Sequence, residues 1–250
     1  MTQTVSRAIE ILEFCSIRPR ALREIAAELD VHRTTATRLV QTLTAAGFVR
    51  RDERGRYGVG FRLAGLAKRA LDQFDLRTIA HPHIAELSEE LGHTIQFAVP
   101  QGDRIIYVDK IEPPQAMSLN TRIGGFAVIH TAGVSKVILA YLDAKQRDAI
   151  VSRAVFEKFT ATTITSEKAL FACLDVVRKQ GWSTDDGEYE TISNCIAAPV
   201  LDHANKVAGG ISVTAFRDKA DLSRLRELLP QLLMTTTAIS KELGWRPTVS

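Results

Sequence analysis

The chain has 250 residues, of which 45% are hydrophobic and 24% charged, a composition that is ordinary for a globular protein and excludes wholesale disorder. The net charge is +3, but residues 1–70 carry a net charge of +6 and the remaining residues a net charge of −3. There is no apolar run near the ~20 residues that span a bilayer, no signal-peptide pattern and no paired cysteine spacing, so we expect a cytoplasmic protein without a membrane partner, disulfide framework or zinc site.

The first forty-five residues predict three short helices with a tight turn between the second and the third. Apolar residues recur with a helical period in Val5–Phe14 and again in Leu22–Leu29. Asp30–His32 is predicted to form the turn, and Thr34 or Thr35 can cap the helix that follows it. This order of elements is typical of a helix-turn-helix.

A basic hairpin is predicted directly after the third helix. Gly47 is a suitable residue to end that helix. Phe48–Arg51 and Arg56–Val59 then form two short strands around Asp52–Gly55, where the glycine suits a positive φ. A helix-turn-helix with such a hairpin is a winged helix, whose common role is to place one helix in the major groove of DNA.

Arginine and threonine side chains are concentrated at the start of the third helix and along the hairpin. Arg binds guanine edges or phosphate, and Thr contacts phosphate or a thymine methyl group. A solvated helix face or a solubilising strand edge would also be polar, but the positive charge of this region favours double-stranded DNA as the partner. The candidate DNA-binding residues are Arg33, Thr34, Thr35, Thr37, Arg38, Arg50, Arg51, Arg54 and Arg56.

The rest of the chain predicts a linker helix and an α+β domain. Leu63–Phe74 is the predicted linker helix and Leu76–Leu91 a long amphipathic helix; after Gly92 the apolar period changes from that of helices to that of strands. Strands are predicted at Thr94–Pro100, Arg104–Glu112, Met117–Asn120, Cys195–Leu201 and Lys206–Ala215, and helices at Val134–Leu142, Lys145–Phe156, Ser166–Gln180 and Leu222–Leu243. Strands joined mostly by hairpins, with helices outside them, indicate an antiparallel sheet. The predicted domains are residues 1–62, a linker over 63–76, and residues 77–250.

Several segments resemble one known family over essentially the whole chain. They include TVSRAIEILEF, REIAAELDVHRTTATRLVQTLTAAGFV, GRYGVGFRL, GDRIIYVDKIE, DDGEYETISNCIAAPV and KVAGGISVT. In these segments the chain resembles the IclR family of bacterial transcription regulators. The resemblance implies a winged-helix domain, a linker helix and a C-terminal α/β effector domain similar to the GAF fold. It also implies homodimers that often pair as tetramers on DNA, no catalysis and no cofactor, and a small organic or aromatic acid that changes operator binding.

The resemblance further implies ligand contacts at Asp185, Cys195, Ser212 and Thr214. The residues themselves agree, because Ser212 and Thr214 alternate on one strand and therefore share a face. The family also uses backbone N–H groups at a helix start, here at Val134 and Ser135, an arrangement that binds anions. The chain departs from the family in having serine at position 135 where glycine is usual. Apolar walls could come from residues that are equally candidates for the core, namely Phe97, Met117, Leu119, Phe126 and Ile129.

The interpretation is a DNA-binding transcription regulator controlled by a small molecule and acting on a neighbouring catabolic operon. One alternative is an enzyme recruited to DNA, in which Cys195, His130 and Asp185 would act as nucleophile, base and orienting group. No local motif supports that arrangement. His81 and His83 could suggest a metal, but residues two apart on a helix do not share a face. A second alternative is a DNA-binding protein that responds to no ligand.

Overall fold

The computed structural model describes residues 3–66, 75–113 and 121–247. They form two compact units, one before Asp75 and one beginning there. No helix within these ranges is long and apolar enough to cross a membrane. The predicted strand Met117–Asn120 and residues 67–74 of the predicted linker helix lie outside the described residues.

The N-terminal unit is a three-helix domain with a two-stranded hairpin. Its elements are α1 (Gln3–Ile17), α2 (Leu22–Glu28), α3 (Arg33–Ala45), β1 (Val49–Arg51) and β2 (Tyr57–Val59). The apolar faces that the helical period predicted meet in one core formed by Ile11, Cys15, Ile25, Leu29, Ala36, Val40 and Val49. The winged helix-turn-helix prediction is confirmed, and residues 62–66 are helical where the linker helix was expected.

Two local details of this unit differ from the prediction. The cap of α3 is His32, whose Nδ1 accepts a hydrogen bond from the Thr34 amide at 3.4 Å, so that Thr34 and Thr35 both lie inside the helix. Helix α1 begins earlier than predicted, at Gln3. Gly47, as expected, follows α3 with a φ of +76°, a conformation that a side chain disfavours.

The C-terminal unit contains a five-stranded antiparallel sheet with the order β4-β3-β7-β6-β5. Its strands are β3 (Thr94–Gln101), β4 (Arg104–Ile111), β5 (Ser183–Asp186), β6 (Ser193–Leu201) and β7 (Val207–Phe216). Its helices are α4 (Leu76–Leu91), α5 (Gly133–Tyr141), α6 (Ala144–Val151), α7 (Glu167–Gln180), α8 (Leu222–Glu227) and α9 (Leu229–Glu242). The α+β fold with an antiparallel sheet is thus confirmed.

Each face of this sheet has its own hydrophobic core. Helices α4, α8 and α9 cover one face, where Phe97 and Ile211 pack with Ile84 and Leu232. Helices α5 and α7 cover the other face, where Ala98 packs among residues such as Val137 and Leu170. Because neighbouring strand residues point to opposite faces, Phe97 belongs to the first core and is not a wall of a site on the second.

The C-terminal unit differs from the predictions at three places. Strand β5 was missed because its sequence, Ser-Thr-Asp-Asp, has no apolar alternation. The predicted final helix is two helices, α8 and α9, since Leu228 ends the first and Pro230 lies in the first turn of the second, where its missing N–H is tolerated. The predicted helix Lys145–Phe156 ends at Val151.

Strand β4 contains a bulge that sends two nearby side chains to opposite faces. Phe97 pairs with Asp109 and Ala98 with Tyr107, so Val108 is the extra residue. Tyr107 therefore shares the face covered by α5. Asp109 lies on the opposite face, where it contacts α4 through His81, at 2.7 Å between Nδ1 and Oδ2.

Candidate functional site

The surface of α3 carries the first group of candidate residues. Arg33, Thr34 and Arg38 are exposed, whereas Thr35 and Thr37 are half-buried at the edges of the helix face. The Thr37 hydroxyl donates to the Arg33 carbonyl oxygen at 2.8 Å, which commits its proton to the helix backbone. Of the five candidate residues on α3, only Arg33, Thr34 and Arg38 are therefore fully available on its exposed face.

The hairpin carries the second group, and its four arginines are all exposed. Arg50 lies over the ring of Phe61 at 5.9 Å and Arg51 over the ring of Tyr57 at 5.8 Å. Asp52 organises the turn, because its Oδ1 accepts hydrogen bonds from the amides of Arg54 at 3.0 Å and Arg56 at 2.8 Å. Asp52 and Glu53 are the only acidic residues of the hairpin, so its four arginines leave it with a net positive charge.

A cavity of about 350 Å³ lies in the C-terminal unit between the sheet and the start of α5. It brings together four candidate residues that are up to 29 positions apart in the sequence, Asp185, Cys195, Ser212 and Thr214. Asp185 pairs with Cys195, and Cys195 with Thr214, across β5, β6 and β7. Paired residues of an antiparallel sheet share a face, so this register forms a polar row across three strands.

Gln96 is a cavity residue that the sequence analysis missed. It lies on β3 opposite Ser212, is 4% exposed, and its Oε1 accepts hydrogen bonds from Ser212 at 3.2 Å and Thr214 at 3.3 Å. Its Nε2 donates to Thr121 Oγ1. The available signal was a lone amide in the apolar strand Thr-Ile-Gln-Phe-Ala-Val, since a buried polar group needs partners. The residue holds both hydroxyls of the row in place.

The start of α5 forms another wall of the cavity. Its cap residue, Ala132, has no side-chain oxygen to accept from the first amides, although the Gly133 amide donates to the Cys195 sulfur. Thr131 lines the cavity and is fully buried, and its hydroxyl has no hydrogen-bond partner among the described residues. A Cβ on Gly133 would lie 2.7 Å from the Cys195 sulfur, so glycine is required there. These unsatisfied donors suit an anion.

Of the two candidate residues at this helix start, Val134 lines the cavity and Ser135 does not. Ser135 is fully buried and its hydroxyl has no partner within the described part of the chain. The serine that departs from the family pattern therefore changes the packing of α5 rather than the cavity wall. Of the candidate apolar residues, Phe126 lines the cavity and Ile129 packs in the core beside α5; Met117 and Leu119 lie outside the described residues.

Asp185, which lines the cavity, and Glu188 beside it have raised pKa values. Burial raises the pKa of Asp185 to about 6, against the opposing effect of Lys136. Burial likewise raises the pKa of Glu188 to about 7, although Lys136 Nζ lies 2.5 Å from its Oε1. The Glu188 amide donates to Asp185 Oδ1 at 2.7 Å. The Asp185 carboxyl group therefore gains or loses its proton near pH 6, and the hydrogen bond from the Glu188 amide holds its position.

Cys195 is not an activated nucleophile. Burial, reinforced by the charge of Asp185, raises its thiol pKa to about 12, so the sulfur stays protonated at neutral pH. His130 Nε2 lies 2.9 Å from the Glu157 carbonyl oxygen, and its ring stacks on Phe159 at 5.8 Å. Among the described residues no hydrogen bond joins His130 to Cys195 or Asp185, so the arrangement that an enzyme would need is not assembled.

Comparison with known domain families gives a match to both units. The helix-turn-helix domain of IclR matches residues 4–53, and the bacterial transcriptional regulator IclR C-terminal domain matches residues 68–241. The chain belongs to the IclR family. The chain is accordingly a DNA-binding transcription regulator with an effector-binding C-terminal domain, and it is not an enzyme.

Similar regulators and solved structures cover nearly the whole chain. The transcriptional repressor IclR of Escherichia coli is 30% identical over 97% of this chain and 90% of its own length. The regulator XynR of the same species is 28% identical over 97% of this chain and 98% of its own length. The crystal structure of Thermotoga maritima IclR matches with a TM-score of 0.65 and 27% identity, over 98% of this chain and all of that one.

The two histidines of the IclR-family chain that could have suggested a metal have separate partners. His81 contacts Asp109 on β4, and His83 Nε2 lies 2.6 Å from a carboxylate oxygen of Glu242 on α9. They point to different elements, as their spacing on α4 predicts.

Proposed function

We propose that residues 1–62 bind an operator through α3 and the arginines of the hairpin, that residues 63–76 link the domains, and that residues 77–250 bind a small organic acid in the cavity beside α5. The observation that carries the effector part of this proposal is the cavity itself. It combines the polar row on the sheet with unsatisfied donors at a helix start.

The chemistry of the lining supports a small acid that also carries an apolar or aromatic portion. The uncapped amides of Val134 and Ser135 at the start of α5 and the Thr131 hydroxyl suit a carboxylate. Arg122, which also lines the cavity, adds a positive charge, set against the carboxyl groups of Asp185 and Glu190 in the same lining. The rings of Tyr107, Phe126 and Tyr189 line the same cavity and suit the apolar portion.

Dimers and dimers of dimers, as in the family, are part of the proposal. A two-fold dimer would present two α3 helices to two half-sites of an operator, which would then be a palindrome. The effector must bind two conformations with different affinity to change operator binding. We propose that it changes the spacing of the two α3 helices through the linker.

The connection from the cavity to the linker has a physical basis in the bulge of β4. Tyr107 lines the cavity, while Asp109, two residues later, holds the first half of α4. Asp109 is 1% exposed, contacts His81, and its Oδ1 lies 3.5 Å from Arg77 Nε. A displacement of Tyr107 can therefore be passed to Arg77 and His81 at the start of α4, the helix that follows the linker in sequence.

The test is a thermal-shift screen of the full chain with small aliphatic and aromatic carboxylates, each paired with its neutral amide. We expect at least one acid to raise the melting temperature and its amide to do so far less, because only the carboxylate carries the negative charge and the second accepting oxygen that the helix start favours. Ser212→Ala should weaken binding of that acid in calorimetry, whereas Ser223→Ala, an exposed serine on α8, should not.

Two results would contradict this proposal in different ways. If no acid in the panel shifts the melting temperature, the alternative of a ligand-independent DNA-binding protein is favoured. Equal binding of an acid and its amide would instead show that the helix start does not hold an anion, even though the cavity binds a ligand.

A further inference from the structure

The exposed face of α3 contains a residue that the candidate DNA contacts leave out. Successive residues of an α-helix are rotated by about 100°, so positions four and seven residues apart return to one face. Thr34, Arg38 and Gln41 have this spacing and are all exposed. They lie opposite Ala36 and Val40, which are buried in the core of the N-terminal unit. Gln41 is therefore nearer the centre of the exposed face than Thr35 or Thr37.

The side chains beside Gln41 are less able to read bases. The Thr42 hydroxyl donates to the Arg38 carbonyl oxygen at 2.9 Å, as the Thr37 hydroxyl does to Arg33 one turn earlier. Both hydroxyl protons are therefore committed to the helix backbone. The Gln41 amide makes no hydrogen bond within the described part of the chain, which leaves its donors and its acceptor free.

The chemistry of an amide matches one base in the major groove. Adenine presents an acceptor, N7, beside a donor, the N6 amino group, and a glutamine amide can satisfy both at once. An arginine, which has only donors, matches guanine instead. Arg38 and Gln41 are separated by three residues, which is about 4.5 Å along the helix axis. With α3 lying along the major groove, this distance places Gln41 about one base pair beyond the pair nearest Arg38.

We propose that Gln41 is a specificity-determining residue of this regulator, which reads an adenine next to the base pairs contacted by Arg38. This inference rests on the proposed role of α3 as the recognition helix. It goes beyond that role because it assigns one base preference to one side chain.

The test is selection of bound duplexes from a random DNA library, with full-length protein and no assumption about the operator. We expect the unsubstituted protein to yield a motif with a preferred A·T pair that Gln41→Ala weakens by about tenfold in relative affinity. The other positions of the motif should keep their preferences. Gln41→Arg should change the same position to G·C, a gain that loss of folding cannot produce.

Thr44→Ala is the matched control, since Thr44 is exposed on the same helix but lies away from the face formed by Thr34, Arg38 and Gln41. Like Gln41→Ala it introduces alanine, which does not lower the helix propensity of α3. We expect the Thr44→Ala motif to match that of the unsubstituted protein.

The possible outcomes separate this inference from the proposed function. If the unsubstituted protein selects no motif, the operator-binding proposal fails and this inference fails with it. If a motif appears but Gln41→Ala leaves it unchanged, or lowers all positions equally, the inference alone is overturned, since an equal loss indicates a phosphate contact. A change confined to one position, together with the switch in Gln41→Arg, supports it.

Discussion

The two units of this regulator display their functional residues in opposite ways. In the N-terminal unit the candidate residues are charged or polar, largely exposed, and contained in one helix and one hairpin. In the C-terminal unit they are largely buried, mostly uncharged, and come from three strands and a helix start that are far apart in the sequence. The surface of the first unit can therefore change without disturbing a core, whereas the cavity of the second unit cannot be separated from the packing around it.

The same contrast holds for electrostatics. The arginines of α3 and the hairpin face solvent, where charge requires no compensation. Lys136, by contrast, is 1% exposed, and it is paired with Glu188, whose second carboxylate oxygen has no partner among the described residues. A buried ion pair is stable only while both partners are present. Substitutions in the two units should therefore affect different quantities.

The largest expected effect is on stability in the C-terminal unit. Lys136→Met should lower the free energy of unfolding by about 3 kcal/mol, because Glu188 is left buried without its counter-ion. Urea unfolding of the full chain measures this change. Lys206→Met, at an exposed position, is the control and should change stability by less than ~0.5 kcal/mol.

A double substitution sharpens this prediction. Lys136→Met combined with Glu188→Gln should recover part of the loss, because the uncompensated charge is removed with its partner. If Lys136→Met were as mild as the Lys206→Met control, the ion pair would not be a determinant of this fold, and the contrast between the units would be weakened.

The next effect is on DNA binding, with little change in stability. Arg38→Ala should weaken binding to the selected duplex by about tenfold or more, while unfolding changes by less than ~0.5 kcal/mol. A gel-shift titration at fixed salt measures the affinity. Arg153→Ala, an exposed arginine of the C-terminal unit, is the control. If Arg38→Ala binds the duplex with unchanged affinity, the assignment of α3 as the recognition helix is contradicted.

The smallest effect is a pH dependence of effector binding. Burial raises the pKa of Asp185 to about 6, so below that pH the carboxyl group is neutral and can donate a hydrogen bond to a bound acid. Above it, the negative charge repels the acid. Affinity for the best acid of the screen should therefore fall severalfold as the pH rises through this value. Calorimetry at several pH values, each corrected for buffer ionisation, gives the profile.

Asp185→Asn should flatten this profile, since the amide remains neutral and can still donate. Glu188, whose pKa is raised to about 7, would contribute any dependence that remains at higher pH. Asp218→Asn, at an exposed position, should leave the profile as it is. A profile that is equally steep in Asp185→Asn would show that this carboxyl group does not control the charge of the cavity.

Elements with sequence signals within a few residues could be predicted, whereas features formed by pairing between distant residues could not. The bounds of α4, from Leu76 to Leu91, were predicted to the residue because an apolar period, Asp75 before it and Gly92 after it all agree. Strand β5 could not be predicted, because four polar residues become a strand only by pairing with β6. Gln96 was missed for a similar reason, since its partners lie 116 and 118 positions later.

The sequence by itself determined the winged helix, the charge difference between the units and, through resemblance to the IclR family, the identity of the cavity row. Helix periods, glycine positions and charges act over a few residues, so they can be read without coordinates. Only the tertiary structure decided that Ser135 is excluded from the cavity and that Gln96 holds the hydroxyls of the polar row. It also decided that Gln41 lies on the exposed face of α3. These outcomes depend on which groups are buried against each other, and burial is a property of the packed chain.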